Sequence, residues 1–282
     1  MSASRVTDPA LVDAHANSQL GPYLRGLWKR RSYGWYVAES DLRQRQITTI
    51  FGSLWHLLNP VLSIAVYFLV FGLILKTDRG VDGKGSFLLF LTVGLFVFQY
   101  TQRAVTQGAI SIVANRGLIQ AIRFPRALLP LSATLTETFA ALPTFVVVYV
   151  VALATGTAPT WSWLVLPLIV TWQMLFNFGA SMIAARMTTH FRDMQQLLPF
   201  VFRLLIYGSG VFFAIENYVS DQWMKVVYIV NPMYGFIGMA RWAAMGMAMP
   251  AEALIASVVW TTVALVGGFF WFKAAEHAYD RV

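Results

Sequence analysis

The chain is 282 residues long, 57% hydrophobic and only 12% charged, against about 25% charged in an ordinary soluble domain. That leaves too little polar surface for a soluble globule of this size, so a multi-span membrane protein is expected. The +8 net charge is scattered between apolar runs, which suits lipid headgroups and topology and argues against nucleic acid; with no cysteine, disulfides, thiolate zinc sites and thiol nucleophiles are excluded.

Residues 1–22 are expected to form a flexible cytoplasmic N-terminus, with no apolar core that would mark a cleavable signal peptide. Over 23–52, Leu24, Leu27, Trp28, Trp35 and Tyr36 alternate with Arg25, Lys29, Arg30 and Arg31. Aromatics beside a basic face predict an amphipathic helix in the cytoplasmic headgroup region. A solvated leader to the first span is the alternative. Residues 53–282 form the expected membrane domain. A spanning helix needs about 20 apolar residues, and six runs qualify: 54–75, 87–110, 127–154, 161–185, 197–215 and 253–272. The second carries Gln99, Gln102, Arg103 and Gln107 in its latter half, the third Glu137 and the fifth Arg203.

One apolar run fails the length test. Only 15 residues separate Lys225 from Arg241, and a straight helix of that length reaches about 22 Å, short of the roughly 30 Å hydrocarbon core. Asn231-Pro232 also breaks it in the middle. The reading is a re-entrant outer hairpin over about 217–245, with Tyr228, Asn231, Pro232 and Tyr234 as an outer gate. The expected fold is therefore an all-α integral membrane protein. It has six transmembrane helices, an N-terminal interface helix and a short hairpin before the last span. With the N-terminus inside, cytoplasmic segments hold fifteen Lys and Arg residues and outer loops five, so both termini are placed in the cytoplasm.

Motifs for chemistry are sparse. The stretch at 80–86, GVDGKGS, lacks the spacing of a Walker A loop, because Lys84 is followed by Gly85. The four histidines are far apart and form no metal-ligand spacing, so no metal is assigned. Glu137 and Arg203 are intramembrane charges; a structural ion pair is favoured over a proton relay, since one carboxylate makes no chain. Aromatic residues near span ends suit an interface belt, though some could line a sugar path. One short basic amphipathic patch interrupts the oil: ANRGLIQAIRFPRALLPL, 114–131. There Asn115 is expected to cap a helical turn and Leu118, Ile119 and Ile122 to share one face. Arg116 and Arg123 flank that face, and Phe124-Pro125 ends the turn. The alternative is an ordinary interfacial loop whose arginines set topology.

Three blocks resemble one family. SDLRQRQITTIFGSLWHLLNP contributes Asp41, Leu42, Arg45, Gly52, Leu54, Trp55 and Pro60; IRFPRALLPL contributes Phe124, Pro125 and Arg126; HFRDMQQLLPF contributes Phe191, Arg192 and Asp193. Together with Asn231–Met233 and Arg241-Trp242, they resemble, in order and spacing, the permeases of ABC transporters that export polysaccharides. Among these the chain looks most similar to O-antigen, teichoic-acid and galactan exporters, the mycobacterial galactan class in particular. Gln46 and Phe51 depart from the usual Tyr and Leu. The resemblance implies a non-enzymatic half-transporter in a bacterial plasma membrane. Two copies would pair with two copies of a separate ATPase, which would hold ATP and Mg; this chain would bind no cofactor itself. They would move a lipid-linked polysaccharide from the cytoplasmic to the periplasmic side. Asn115, Leu118, Ile119, Ile122, Phe124 and Arg126, with His190, Phe191, Arg192 and Asp193, would contact the ATPase. Arg25, Trp28, Lys29, Trp35, Asp41 and Arg45 would form the interface helix against membrane lipids. An integral-membrane enzyme on polyprenyl-linked sugars and a passive channel or scaffold are the competing classes; the first lacks a carboxylate cluster, and the second has no use for the basic patch.

Overall fold

The computed structural model describes residues 20–29, 31–47, 54–74, 87–122, 124–215, 220–249 and 251–279. Among them every regular element is helical. In chain order these are α1 (Leu20–Lys29), α2 (Arg31–Ile47), α3 (Trp55–Phe68, continued by a π stretch Leu69–Ile74), α4 (Phe87–Ala114) and α5 (Arg116–Ala121). Then come α6 (Leu128–Ala154), a 3₁₀ turn Trp161–Val165 leading into α7 (Leu166–His190), α8 (Met194–Gly208), α9 (Asp221–Val230) and α10 (Pro232–Met245). The last span is α11 (Ala251–Thr262), a π stretch Val263–Gly267 and α12 (Gly268–Ala274), followed by α13 (Glu276–Tyr279).

α4 is the centre of the bundle. It is an uninterrupted 28-residue helix without proline, so nothing stops helix propagation across the hydrocarbon depth. α6 and α7 pack along most of it, and α3, α8 and α10 fill the remaining flanks. Aromatic contacts lock these neighbours in place: Phe96 meets Phe145 of α6 edge-on at 4.9 Å, and Phe98 meets Phe202 of α8 at 6.1 Å. α7 meets the last span through small residues. A Cβ on Gly179 would lie 2.3 Å from the Ala264 carbonyl carbon, so only glycine lets the two backbones approach this closely.

Four helices are long and apolar enough to cross a membrane: Phe87–Ala114, Leu128–Ala154, Trp161–His190 and Ala251–Ala274. They meet four of the six expected spans. The expected span at 54–75 is found as the shorter apolar stretch Leu58–Ile74, where Pro60 lies inside α3 and the end loosens into a π turn. The expected span at 197–215 ends early, at Gly208 after 15 helical residues. Gly210 adopts φ +66°, a left-handed conformation that suits glycine and stops the helix.

One other expectation is corrected. The N-terminal segment is two helices, α1 and α2, rather than one over 23–52, and α2 lies along α6 with Trp35 edge-on to Phe139 at 4.6 Å. The 226–240 run is broken as expected, into α9 and α10 at Asn231. Asn231 Oδ1 accepts from the Met233 N–H at 3.0 Å and caps α10. Its Nδ2 donates to the Gly208 carbonyl and Ser209 Oγ, both at 2.9 Å, which ties the break to the end of α8. The 80–86 loop, Arg123 and the Arg45 side chain lie outside the described residues.

Candidate functional site

At one end of the bundle, α4 and α7 finish, α6 begins, and α12 delivers the C-terminal turn. α5 is inserted there between α4 and α6. Ile112, Ile119, Phe124, Leu128, Met182, Ala185, Phe272, Tyr23 and Tyr279 form a separate apolar cluster under it. Through Ile119, α5 joins a cluster drawn from six other elements rather than hanging as a free loop.

Arg126 builds the platform. Its Nη1 donates to the Ile122 carbonyl and its Nη2 to the Ile119 carbonyl, both at 3.2 Å. The guanidinium therefore closes the C-terminal end of α5, where unsatisfied carbonyls and the helix dipole favour a cation. It also lies 4.8 Å from the Phe124 ring. The Arg126 backbone N–H donates to Glu276 Oε1 at 3.2 Å. Tyr23 joins the same knot: its hydroxyl accepts from the Ala127 N–H at 3.3 Å and bonds Glu276, with Lys273 5.1 Å from its ring. Burial pushes the Glu276 carboxyl above its ordinary value; the Arg126 N–H, the Tyr23 hydroxyl and the charges of Arg126 and Lys273 pull it back only in part. Burial, then the charge of Glu276, raise the Tyr23 phenol as well. N-terminal helix, α5 and C-terminal turn are joined through one carboxylate.

The 114–126 block folds as a short helix and turn, with two differences from expectation. Asn115 makes no side-chain cap for α5; its Nδ2 instead donates back to the Ser111 carbonyl at 2.8 Å. Leu118, Ile119 and Ile122 do not share one surroundings: Ile119 is 5% exposed and faces the cluster, Leu118 packs beside it, and Ile122 is 47% exposed. The outward face of α5 is Gly117, Gln120 and Ala121, followed by Ile122. At the end of α7, His190, Phe191, Arg192 and Asp193 are all exposed, with His190 and Phe191 edge to face at 4.6 Å. The chain leaves α7 in extended conformation at Phe191 and restarts at Asp193, so this second turn projects from the same end. Arg25, Trp28, Lys29 and Trp35 are exposed on α1 and α2, and Asp41 is half-buried.

Glu137 and Arg203, expected as a pair, lie in different surroundings. Arg203 is exposed on α8, its guanidinium 5.5 Å from the Phe200 ring. Glu137 is buried on α6 and borders a cavity of ≈ 20 Å³ with Gln99, Tyr100, Arg103 and Pro60. α8 approaches the bundle from another side of α4, and length in sequence gave no sign of that. Tyr228 and Tyr234, expected at an outer gate, are 7% and 5% exposed and pack on each other edge-on at 5.0 Å. Trp260 Nε1 donates to the Tyr228 carbonyl at 3.3 Å. Pro232 begins α10 beside them.

Two features escaped the sequence reading. α4 and α7 share a buried polar seam: Thr101 Oγ1 donates to Asn177 Oδ1 at 2.6 Å, and Gln173 Nε2 to the Val97 carbonyl and Thr101 Oγ1 at 2.8 Å each. Their spacing of four on α7 was a visible signal. Arg241, expected in an outer loop, is buried instead. It lies 3.3 Å from the Phe90 ring centroid and donates to the Phe90 and Val211 carbonyls at 3.3 and 3.2 Å. It therefore pins the irregular turn after α8 to the start of α4.

Residues 39–245 match the sequence profile of the ABC-2 type transporter family. The chain is similar to the O-antigen export system permease protein RfbA of Klebsiella pneumoniae, 30% identical over 202 residues that cover 71% of this chain and 75% of that protein. It is 26% identical over 210 residues to RfbA of Myxococcus xanthus, covering 74% and 79%. It is 25% identical over 254 residues to the polysialic acid transport protein KpsM of Escherichia coli, covering 86% and 95%.

Proposed function

This chain belongs to the ABC-2 type transporter family and is a transport permease rather than an enzyme, and we propose that it is the membrane subunit of an ATP-driven exporter of lipid-linked polysaccharide. Two copies pair with two copies of a separate ATPase, which binds ATP and Mg. The substrate, galactan or O-antigen-like, passes from the cytoplasmic to the periplasmic side of a bacterial plasma membrane. The chain crosses six times with both termini inside, and α9–α10 is the re-entrant outer hairpin.

The observation that carries this reading is similarity to permeases named for O-antigen export over 71% of the chain. The geometry supplies a mechanical reason for it. α5 is a short helix held by Arg126 at its C-terminal end and by Ile119 in the apolar cluster beneath it, so a push on its outward face is passed to that end of the bundle. A groove on an ATPase that grips Gly117, Gln120 and Ile122, with a smaller contact at His190–Asp193, would transmit rigid-body motion into the bundle.

The test is reconstitution with the partner ATPase in proteoliposomes carrying defined lipid-linked glycans. Transport requires ATP and Mg, and galactan or O-antigen lipids stimulate hydrolysis several-fold above the unloaded rate. A pair that hydrolyses ATP yet moves none of these lipids refutes the assignment.

A further inference from the structure

Arg126 is gripped at both ends. Its guanidinium closes α5 through the Ile119 and Ile122 carbonyls, while its backbone N–H donates to Glu276 Oε1 at 3.2 Å. The next N–H along, that of Ala127, donates to the Tyr23 hydroxyl at 3.3 Å, and that hydroxyl bonds Glu276 in turn. A Cβ on Gly26 would stand 3.4 Å from Pro125 Cγ, so α1 lies directly against the same turn. One residue therefore carries α5 on its side chain and the C-terminal turn on its backbone.

Glu276 is itself delivered from a fixed place. α12 packs on α7 so closely that a Cβ on Gly268 would meet the Gly179 carbonyl oxygen at 2.6 Å. Arg186 of α7 donates to the Trp271 carbonyl, and its guanidinium lies 4.3 Å from the Trp271 ring. Tyr279 donates from its hydroxyl to the Phe272 carbonyl at 3.0 Å, with the two rings 4.7 Å apart, which folds α13 back over the end of α12. A half-buried carboxyl is a costly way to hold a turn in an apolar cluster; a packed leucine would serve stability as well. What the oxygen adds is direction, because a hydrogen bond fixes one register of the 125–127 turn against the last span. We infer that Glu276 is a positioning residue for coupling: with Tyr23 it forms a latch that keeps α5 in register with the last span, so that motion imposed on α5 reaches α12 rather than being lost in the turn at Phe124-Pro125. This rests on the export reading above, which sets an ATPase against α5. The latch needs an acceptor and not a charge, since a carboxyl oxygen accepts the Arg126 N–H with or without its proton.

The test compares three variants, each co-purified with the partner ATPase. Glu276→Leu removes the acceptor, Glu276→Gln keeps one, and Tyr23→Phe removes the hydroxyl alone. In the complex, the amides of residues 118–122 exchange with deuterium about fivefold faster in Glu276→Leu and Tyr23→Phe than in wild type, as the loss of one hydrogen bond of ordinary strength gives. In proteoliposomes with a diphosphate-linked lipid oligosaccharide of galactan or O-antigen type, the glycan exported per ATP hydrolysed falls by a similar factor in both, while the ATPase stays bound. Glu276→Gln keeps most of the wild-type ratio, and Tyr23→Phe with Glu276→Leu is no worse than the poorer single, because both act on one turn. A ratio like wild type in both Glu276→Leu and Tyr23→Phe, or a Glu276→Gln variant as poor as Glu276→Leu, overturns the latch. Loss of the folded permease or of the bound ATPase in both makes the knot a folding element only, and overturns it too. Wild type that exports no glycan overturns the export reading instead, and the exchange rates of 118–122 then decide the latch on their own.

Discussion

Ile119 and Ile122 lie on the same short helix with opposite surroundings, and they separate folding from coupling. An aspartate at Ile119 would be buried among Ile112, Phe124 and Leu128, at a cost on the order of 3 kcal/mol for an uncompensated carboxylate. Ile119→Asp therefore lowers the thermal midpoint and the yield of the permease itself. Ile122→Asp touches an exposed side chain; the permease should melt as wild type while ATPase pull-down and transport fall together. If Ile122→Asp binds the ATPase and transports normally, α5 is no handle. Glu276 gives a second residue-level test. Its carboxyl titrates above the ordinary 4.5 because burial outweighs its partners, so the native end holds that proton more tightly than the unfolded chain does. The stabilisation is complete below 4.5 and is lost as pH rises through the raised range. The thermal midpoint should fall across that window in wild type, and Glu276→Gln, which keeps the acceptor for the Arg126 N–H, should flatten the fall. An unchanged slope would mean Glu276 stays ionised in the fold.

Among the helices, the contact of α7 with the last span depends on Gly179. Gly179→Val pushes a side chain into the Ala264 backbone and should cost about 1–3 kcal/mol by overpacking. Gly267→Val, where a Cβ meets nothing within 4 Å, is the control; equal losses of thermal midpoint in both would deny the close approach. The four long helices were legible because unbroken apolar runs of spanning length have few other solutions, and their ends differ from expectation by a few residues. The α9–α10 break was legible from Asn231-Pro232, where one residue supplies the cap and the next cannot continue a preceding helix. The early end of α8 was not: Leu197–Ile215 reads as continuous oil, and only Gly210 and the long reach of Arg241 to the Val211 carbonyl stop it. Likewise the site's sequence block at 114–126 was visible, but not its anchor at Glu276, which lies 150 residues from Arg126. Amphipathic spacing placed Ile119 and Ile122 on one face because it could not know that α6, α7 and α12 cover only part of α5.

For the whole molecule, the two ends of the bundle have different characters, and that makes topology testable. The α5 end gathers both exposed turns, 117–122 and 190–193, and the knot of Tyr23, Arg126 and Glu276. At the other end α4 starts, and α10 finishes near it: Arg241 reaches Phe90, and Ser162 Oγ donates to the Ala243 carbonyl at 2.8 Å. Between them, α10 begins deep in the bundle. Asn231 bonds Gly208, the last residue of a 15-residue helix that rises only about 22 Å from the α5 end. Pro232 and Met233 border a cavity that also includes Thr101 and Met194. On the proposed six-crossing path this segment dips to that depth and returns as a re-entrant hairpin, with Tyr228 and Tyr234 packed inside it. Exposed positions at the end opposite α5 include Ser220, before α9, and Ala248, after α10. In the cysteine-free chain, Ser220→Cys and Ala248→Cys should react in intact cells with a membrane-impermeant maleimide. Gln120→Cys, exposed on α5, should react only after the cells are opened. Tyr228→Cys and Tyr234→Cys, buried on each other, should stay largely unlabelled under both conditions until the protein is denatured. Labelling of Ser220→Cys and Gln120→Cys from the same side would break the hairpin and the six-crossing path together, because an odd number of crossings would then have to be removed between them.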